Sequence, residues 1–326
     1  FGDSRINVRG FDSQNTAVLI DGIPVNDMEN GRVYWSNWSG LTDVVSAMQV
    51  QRGLGASKLA ISSVGGTINV LTKSTELTKG GKIAATVGND GYMKTVASYN
   101  TGEMEGGHAL SLLFSRVEGD GYVDGTMFEG YNYFMGYGWA SEDDKHNVQV
   151  IVTGAPQVHN QRTNSFYNMA TGQQYKDYGI RYNYNHGYLN GQEFNWRRNF
   201  YHKPIASVNW EYKINESTNL SASAYYSVGR GGGTGDIGRA YGFQFASGDL
   251  NYNGKYAFRN PINGHFDYDK LAAYNGGTPT TFYNGRTASN SIDAATGLYI
   301  VNDPDERVDG VKRNGFVRRA SVNSHN

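Results

Sequence analysis

Few residues of this chain are of a type that performs covalent or metal chemistry, and their spacing does not suit it. The sequence has no cysteine, which excludes disulfides, thiolate metal sites and cysteine nucleophiles. Its seven histidines include no His-x-x-x-His pair, so we predict no structural zinc site. The acidic run 142–144 lies in a predicted turn, and the acidic residues 303–306 lack the spacing of an EF-hand loop. The residues therefore favour a function that is not enzymatic and needs no metal or cofactor.

One pattern is typical of phosphate binding, because Gly233, Gly235 and Gly238 match G-x-G-x-x-G. The dinucleotide fingerprint requires a helix after the glycines, and no helical periodicity follows them here. We therefore interpret this stretch as a flexible external loop. The net charge is −1, so the chain has no general basic surface for nucleic acid.

Segment 27–40, D-M-E-N-G-R-V-Y-W-S-N-W-S-G, combines residue types that bind ligands without reacting with them. Its aromatic rings offer flat apolar faces, and its polar side chains offer directional hydrogen bonds. This mixture suits a sugar, a peptide or a siderophore. Packing of the aromatic rings inside the protein is the alternative. The candidate ligand-binding residues are Glu29, Asn30, Arg32, Tyr34, Trp35, Asn37 and Trp38.

Two long segments, 156–200 and 229–314, are rich in the Tyr, Asn and Arg residues that recognition surfaces use. Both segments are predicted to be external loops. The alternative is that their side chains pack on one another and shield the protein. The candidate ligand contacts in these loops are Arg162, Tyr167, Tyr175, Trp196, Arg239 and Tyr241.

The elements that must position these residues are β-strands. From Gly80 onward, apolar and polar residues alternate over segments of about 9–13 residues, and Leu220–Val228 is the clearest case. Such alternation turns one face of each strand toward lipid and the other toward a polar lumen. The 24 tyrosines fit the aromatic girdles of a barrel, and the mean hydropathy of −0.56 is compatible with alternating strands.

The connections between the predicted strands alternate between short and long after a first tight turn at 88–91. This parity is typical of outer-membrane barrels, which have short periplasmic turns and long external loops. A soluble sandwich has no reason to keep it, so we favour a transmembrane antiparallel β-barrel. The short connections are 101–107, 141–145 and 215–218, and the long ones are 117–130, 156–201 and 229–314.

The first 75 residues carry four spaced motifs: I-N-V-R-G, V-L-I-D-G-I-P-V-N, V-Q-R-G and G-G-T-I-N-V-L-T-K. In this order they resemble the later half of the plug domain of TonB-dependent outer-membrane receptors. The Asn- and Tyr-rich loops and the N-W-S-G segment resemble receptors of the Bacteroidetes type. The resemblance implies a mainly β fold, with the C-terminal part of a small α+β plug in 1–75. It also implies that 76–326 form about eight of the family's roughly 22 barrel strands.

The resemblance also assigns roles within the plug. The family's plug loop at the position of 27–40 faces the external vestibule. Its plug arginines, at the positions of Arg9 and Arg52, pair with carboxylates on the barrel wall; surface exposure is the alternative. The remaining plug residues provide turns and close backbone approaches. The plug-structural residues are Arg9, Gly10, Asp21, Gly22, Arg52, Gly53, Gly65, Gly66 and Asn69.

The function implied by the resemblance is TonB-dependent import of a scarce solute across the outer membrane of a Gram-negative cell. The solute would be a siderophore, cobalamin, a glycan or a peptide. The inner-membrane TonB-ExbB-ExbD complex would rearrange the plug, and outer-membrane lipid would surround the barrel. Whether a surface lipoprotein lid covers the barrel stays open.

Two alternatives to import remain at this stage. One is a passive outer-membrane channel or a surface-adhesion barrel, and the other is a soluble β-rich enzyme that acts on glycans. Because residue 1 is Phe and no signal peptide precedes it, we expect the chain to begin inside a larger protein or after processing.

Overall fold

A computed structural model of the chain shows a small mixed sheet packed against a long antiparallel sheet, with a helix-containing layer at one end. The described residues are 7–8, 10–27, 30–38, 44–53, 64–72, 74, 77–162, 172–239, 258–283, 285, 287–290, 294–295, 297 and 315–325.

The mixed sheet lies in the part of the chain that resembles a plug, and we call it the plug sheet. Its strands are β1 (Thr16–Ile20), β2 (Ile23–Pro24), β3 (Ala47–Arg52) and β4 (Gly66–Leu71). Their order is β2-β1-β4-β3, with β1 and β4 parallel and the other pairs antiparallel. All five residues of β1 are buried, as its apolar run A-V-L-I predicts for a central strand. Two short 3-10 helices, Ser13–Asn15 and Trp35–Trp38, accompany the sheet.

The turn between β1 and β2 is formed by Asp21 and Gly22, whose φ angles are +48° and +83°. Two consecutive positive φ angles are the geometry that an Asp-Gly pair favours in a two-residue hairpin. The Asp21 carboxylate accepts hydrogen bonds from the backbone N–H of Thr72 at 2.8 Å and from its hydroxyl at 2.6 Å. The turn is therefore tied to the residue that follows β4.

The elements that follow the plug sheet are mostly strands. In chain order they are β5 (Gly80–Val87), β6 (Met93–Asn100), β7 (His108–Gly119), β8 (Phe128–Ala140), β9 (His146–Gly154), β10 (Gln157–Asn160), α1 (Gly172–Tyr178), β11 (His186–Leu189), β12 (Gln192–Asn195), β13 (Arg198–His202), β14 (Ile205–Asn215), β15 (Thr218–Ser227), β16 (Gly229–Arg239), β17 (Phe266–Asp267), α2 (Tyr268–Asn275), β18 (Thr280–Thr281), β19 (Thr287–Ala288) and β20 (Gly315–His325).

Three pairs of these segments are single long strands with a local interruption. β10 continues β9, β14 continues β13, and β16 continues β15, because the neighbouring strand keeps the same register across each break. Pro156 and Pro204 lie at two of the breaks, and proline cannot donate a hydrogen bond to the ladder. The long sheet therefore contains eight antiparallel strands, which confirms the number predicted from the sequence.

We call this long sheet the wall. Its two faces differ in what they contact. In β8, Asn132, Phe134 and Gly136 are buried on the face toward the plug sheet, whereas Met135 and Tyr137 are exposed on the other. A Cβ on Gly136 would collide with the Ser74 hydroxyl, so plug and wall approach closely there. The period-two alternation predicted from the sequence thus separates an inner face from an outer one.

The outer face carries aromatic residues at two levels. Tyr131 and Trp139 of β8 lie eight residues apart, which corresponds to roughly 26 Å along a strand. At the Trp139 level, the His146 ring stacks on Tyr212 and Trp210, with centroid distances of 4.4 and 6.0 Å. A transmembrane barrel has this layout, an apolar band about 25 Å tall between two aromatic girdles. The exposed apolar side chains between the levels include Leu112, Phe114, Met135 and Val208.

The strands reach further into the predicted long connections than the sequence indicates. β10 lies inside the predicted loop 156–200, β13 begins inside it, and β16 lies inside the predicted loop 229–314. The G-x-G-x-x-G stretch belongs to β16, so the prediction of a flexible loop there was wrong. β7 and β8 likewise shorten the predicted loop 117–130 to 120–127. Backbone pairing extends these strands, and a glycine-rich stretch has no side-chain alternation that would reveal it.

At the end of the wall reached by the long connections, α1, β11, β12, β17, α2, β18 and β19 form a separate layer, the external subdomain. α1 and α2, of seven and eight residues, lack the length and apolar character needed to cross a bilayer. The core of the subdomain is a group of buried side chains, the external aromatic cluster. Its members are Tyr182, Tyr184, Trp196, Phe258, Phe266, Tyr268, Leu271, Tyr274 and Phe282.

Arg259 lies inside this cluster and is only 4% exposed. Its guanidinium donates to the Tyr182 hydroxyl at 2.8 Å and to the carbonyl oxygens of Gly264 and Tyr184 at 2.7 and 2.9 Å. The guanidinium carbon also lies 3.9 Å from the centre of the Tyr184 ring, within range of a cation–π interaction. Burial raises the pKa of Tyr182 to about 12, so its hydroxyl stays protonated. One cation therefore connects three parts of the external subdomain.

A buried histidine, His186, and a half-buried one, His265, lie in the same layer. The rings of His186 and His265 meet edge-on with centroids 4.7 Å apart, and His186 Nε2 lies 3.8 Å from the Glu193 carboxylate. Burial lowers the pKa of both histidines, and nearby Asp124 opposes this shift in each. For His265, the neighbouring His186 and Arg259 lower the pKa further. Both rings are therefore harder to protonate in the folded state than in the unfolded chain.

We predict that Arg259→Ala destabilises the external subdomain by about 3 kcal/mol, because buried acceptors lose their donor at a cost of about 1–3 kcal/mol each. Limited proteolysis of the full-length protein in detergent should show new cleavage between residues 172 and 290, with the wall intact. Lys176→Ala, on the exposed surface of α1, is the matched control. Equal cleavage rates for the two variants would contradict the assigned role of Arg259.

We also predict that this subdomain is less stable in acid. A histidine with a lowered folded pKa contributes stability that is complete above its ordinary pKa of about 6.5 and declines as the pH falls below it. Pulse proteolysis in urea should give a lower midpoint near pH 5 than near pH 7.5. His186→Gln should flatten this dependence, and His108→Gln, at the opposite end of the wall, should not. An unchanged slope in His186→Gln would refute the assignment.

Candidate functional site

The predicted ligand segment includes a loop, described at residues 27 and 30–38, that a buried amide attaches to the plug sheet. We call it the apical loop. Asn26, which the sequence analysis did not single out, accepts a hydrogen bond from the Val18 N–H at 2.8 Å. Its Nδ2 donates to the carbonyl oxygens of Thr16 and Gly31, both at 2.9 Å. Asn26 therefore attaches the loop to β1, and its place at the end of the V-L-I-D-G-I-P-V-N motif, two residues after β2, is a sequence signal for this role.

The structure brings three of the predicted residues, Asn30, Arg32 and Tyr34, to the accessible side of the apical loop. Asn30 and Arg32 are exposed and Tyr34 is half-buried, whereas the half-buried Trp35 packs against the core shared by plug and wall. Asn30 Nδ2 donates to the Tyr34 hydroxyl at 2.9 Å, and Asn30 Oδ1 accepts from the Arg32 N–H at 2.9 Å. The fifth candidate, Glu29, lies outside the described residues.

The last two candidates of this segment are buried. Asn37 is 6% and Trp38 is 7% exposed, and both line a small crevice against the wall, next to Val44 and Phe134. Trp38 belongs to the hydrophobic core shared by plug and wall. The structure thus places these two residues in the packing arrangement that the sequence left open as the alternative to ligand contact.

The candidates in the external segments also divide. Arg162 is exposed, whereas Trp196 is 3% exposed and stacks on Tyr268, with ring planes 3° apart and centroids 5.7 Å apart. Tyr175 is half-buried against the external aromatic cluster. Trp196 therefore lies inside the core of the subdomain and not on its surface, because the surrounding aromatic residues cover it. Arg239 ends β16, its side chain is not described, and Tyr167 and Tyr241 lie outside the described residues.

The residues predicted to shape the plug occupy turns and sheet ends. Asn69 on β4 accepts a hydrogen bond from the Gly22 N–H at 3.0 Å, which joins it to the Asp21–Gly22 turn. A Cβ on Gly65 would lie 2.9 Å from Phe11 Cβ, so only glycine fits at the start of β4. Arg9 lies outside the described residues and the Arg52 side chain is not described, so their pairing with the wall stays a prediction. Gly10, Gly53 and Gly66 have positive φ angles of 82°, 80° and 137°.

Plug and wall share one apolar core. The plug contributes buried side chains that include Val18, Ile68 and Val70, and the wall contributes Leu113 and Phe134 among others. At about 25 cal/mol per Å² of buried apolar surface, such a core makes a large favourable contribution to holding the plug sheet against the wall. The described residues contain no group of three or more His, Asp or Glu side chains that could hold a metal ion.

Comparisons with known proteins identify the first part of the chain. Residues 1–67 match the family model described as the TonB-dependent Receptor Plug Domain. A stretch of 82 residues is 32% identical to the probable TonB-dependent siderophore receptor PirA of Acinetobacter baumannii and covers 22% of this chain. A stretch of 148 residues is 26% identical to the vitamin B12 transporter BtuB of Vibrio vulnificus and covers 43% of this chain.

The chain spans 11% and 24% of the lengths of these two curated relatives. Its fold resembles the crystal structure of the ferric yersiniabactin uptake receptor FyuA from Yersinia pestis, with a TM-score of 0.54 and 14% identity. That match covers 71% of this chain and 35% of the receptor. The likeness confirms the mainly β fold with a partial barrel. The relatives are transport receptors, not enzymes, whereas the predicted Bacteroidetes type stays a prediction.

We predict that Trp38→Ala loosens the plug, because truncating a buried tryptophan costs about 3–5 kcal/mol. Hydrogen exchange of the full-length protein in detergent should show faster exchange of β1 and β4 in this variant. Tyr34→Ala, on the accessible side of the same loop, is the control and should leave that exchange unchanged. The packing role of Trp38 fails if the two variants exchange alike.

Proposed function

We propose that this chain, which belongs to the TonB-dependent receptors by its plug domain and its barrel strands, takes part in energy-dependent import of a scarce solute across the outer membrane. The observation that carries the proposal is the shared core in which the plug sheet covers the inner face of a wall with an apolar outer face. The match of residues 1–67 to the plug family supports the same conclusion.

The packing of the plug favours a gated importer over a passive channel. Val18 and Ile68 of the plug are buried in one core with Leu113 and Phe134 of the wall. A solute cannot pass through such a core while it stays intact, so passage requires that the plug sheet move or rearrange. Moving it costs free energy, because the shared apolar surface becomes exposed to water. An external energy source is therefore part of the proposal.

The energy source we propose is the inner-membrane TonB-ExbB-ExbD complex, driven by the proton gradient. The Asp21–Gly22 turn is suited to such a pull because its hydrogen bonds to the plug's own sheet are shorter than its hydrogen bond to the wall. Asp21 holds Thr72 through two hydrogen bonds of 2.8 and 2.6 Å, whereas Asn209 of the wall reaches the Asp21 carbonyl at 3.4 Å. A pull would then shift the sheet as a unit before unfolding it.

Ligand capture is proposed for the accessible side of the apical loop, formed by Asn30, Arg32 and Tyr34. These residues offer a cation, an amide and an aromatic ring on a loop that Asn26 fixes, so little ordering is needed on binding. Arg162 of the external segment is the further exposed candidate. The ligand classes that suit this chemistry are a siderophore, cobalamin, a glycan or a peptide.

The outer membrane is the proposed location, and its lipid is the partner of the wall's outer face. The apolar band between the levels of Tyr131 and Trp139 supports this assignment. A surface lipoprotein lid would contact the external subdomain, which lies at the end of the wall opposite the short turns. Nucleic acid has no role in this proposal.

To test import, cells expressing the full-length receptor should be offered radiolabelled cobalamin, ferric citrate or a labelled glycan mixture. At least one probe should accumulate, and a protonophore should abolish its accumulation. Arg32→Ala combined with Tyr34→Ala should weaken uptake about tenfold or more, because two contacts are lost. Lys82→Ala, on β5 away from the apical loop, is the control. Accumulation that continues at the same rate without a proton gradient would identify a passive channel instead.

A further inference from the structure

A cavity of about 320 Å³ lies between the plug sheet and the wall, away from the apical loop. It lies near the short connections 141–145 and 216–217, at the opposite end from the external subdomain. Its size is at the lower end of the range for ligand pockets, roughly 300–1,000 Å³. On the plug side it is lined by Asp21, Gly22, Gln49, Asn69 and Leu71.

Apart from Trp210, the wall side of the cavity consists of polar side chains in register across β9, β14 and β15. Asn209 pairs with Gln149 on one side and with Ser223 on the other. One step further along the inner face, Glu211 is paired in the same way with Asn147 and Ser221. Inner-face positions elsewhere on the wall, such as Phe134 and Ile151, pack against the plug instead. Polar side chains such as Ser111 and Asn132 are also buried elsewhere on the inner face, but at this end of the plug–wall boundary polar side chains line an open space.

Two polar atoms at the cavity have no hydrogen-bond partner among the described residues, namely Gln149 Nε2 and Asn209 Oδ1. Gln149 is only 7% exposed, so leaving its amide donor unsatisfied is unfavourable. The plug amide on the opposite side is satisfied, because Asn69 accepts from the Gly22 N–H and contacts Gln49. The wall thus carries one unused donor and one unused acceptor on two residues that line the cavity.

The charges around the cavity restrict what can enter. The described residues that line it include two carboxylates, Asp21 and Glu211, and no Lys, Arg or His. An anionic solute would meet like charge without a compensating cation, which costs free energy in a confined space. Amide side chains offer both donors and acceptors, and hydroxyl groups need both. The chemistry therefore favours a neutral solute rich in hydroxyl groups.

We infer that this cavity is a second solute site, on the exit side of the plug, that binds a neutral hydroxyl-rich solute of the glycan class during its passage. The inference rests on the proposed import function and narrows its substrate class. Gln149 donates to a solute hydroxyl and Asn209 accepts from one, while Ser221 and Ser223 supply further hydroxyl contacts. The apical loop captures the solute first, and this second site receives it after the plug has moved.

The test uses a single reporter thiol, because the chain contains no cysteine of its own. Ser223→Cys is placed in the full-length receptor, with any cysteine outside this chain replaced by serine, and its rate of labelling with a neutral thiol reagent is measured in detergent. A mixture of short neutral oligosaccharides should slow the labelling, and ferric citrate at the same concentration should not. Ser98→Cys, on the inner face of β6 outside the cavity, is the control thiol and should not be protected.

The second arm removes the two unused hydrogen-bonding groups. Gln149→Leu combined with Asn209→Leu keeps the volume and should weaken protection by about tenfold, as the loss of two hydrogen bonds of about 0.5–1.5 kcal/mol each predicts. Gln149→Glu combined with Asn209→Asp keeps the shape and adds charge. Both double variants should show the same heat-modifiability as the parent receptor, which checks that the barrel has assembled.

The outcomes separate this inference from the import function. Absence of protection by the oligosaccharides, or equal protection by ferric citrate, overturns the exit site even if proton-gradient-dependent uptake is intact. Protection that survives the leucine variant overturns the roles of Gln149 and Asn209. Selective protection that is lost in the leucine variant supports the site. This holds whether or not the uptake assay finds a probe whose accumulation depends on the proton gradient.

Discussion

The structure depends on one constraint, the two-residue period of the β-strand, which makes every wall strand satisfy two environments at once. In β8, alternate residues enter the core shared with the plug, and those between them form the apolar outer band. A shift of one residue in register would exchange the two sets, so Phe134 would face outward and Met135 would face the plug. The continuous register across Pro156 and Pro204 shows that the constraint holds beyond the apolar band as well.

The plug meets this wall with two kinds of contact that differ along its height. Where Trp38 and Val44 meet Phe134, the boundary is closely packed and has an apolar core, with Asn37 and Asn132 beside it. Near the Asp21–Gly22 turn the boundary is polar, open and lined by amides. Apolar packing resists separation more strongly than a few long polar contacts do, so rearrangement of the plug is easiest to begin at the polar end. That end is also the one nearest the short turns.

The external subdomain is a second core, built on the long connections and independent of the plug. Arg259 occupies a position in this core that an apolar side chain would normally fill. Its hydrogen bonds connect Tyr182, Tyr184 and Gly264. The subdomain is tied to the wall's other connections as well, because Asn183 and Asn195 donate to the carbonyls of Asp124 and Gly125. Because many of its aromatic residues are buried in this core, fewer of them can contact a ligand than the composition of the long connections indicates.

The sequence by itself determined the class of fold, the eight wall strands, the family resemblance and the Asp21–Gly22 turn. Each of these depends on patterns that are local in the chain, such as alternation, turn residues and spaced motifs. Only the tertiary structure decided that Trp38 and Trp196 are buried, that the glycine-rich stretch in β16 is a strand, and that Gln149 and Asn209 meet opposite Asn69. Burial, pairing of featureless backbone and the facing of distant side chains all depend on contacts between residues far apart in sequence, and no local pattern records them.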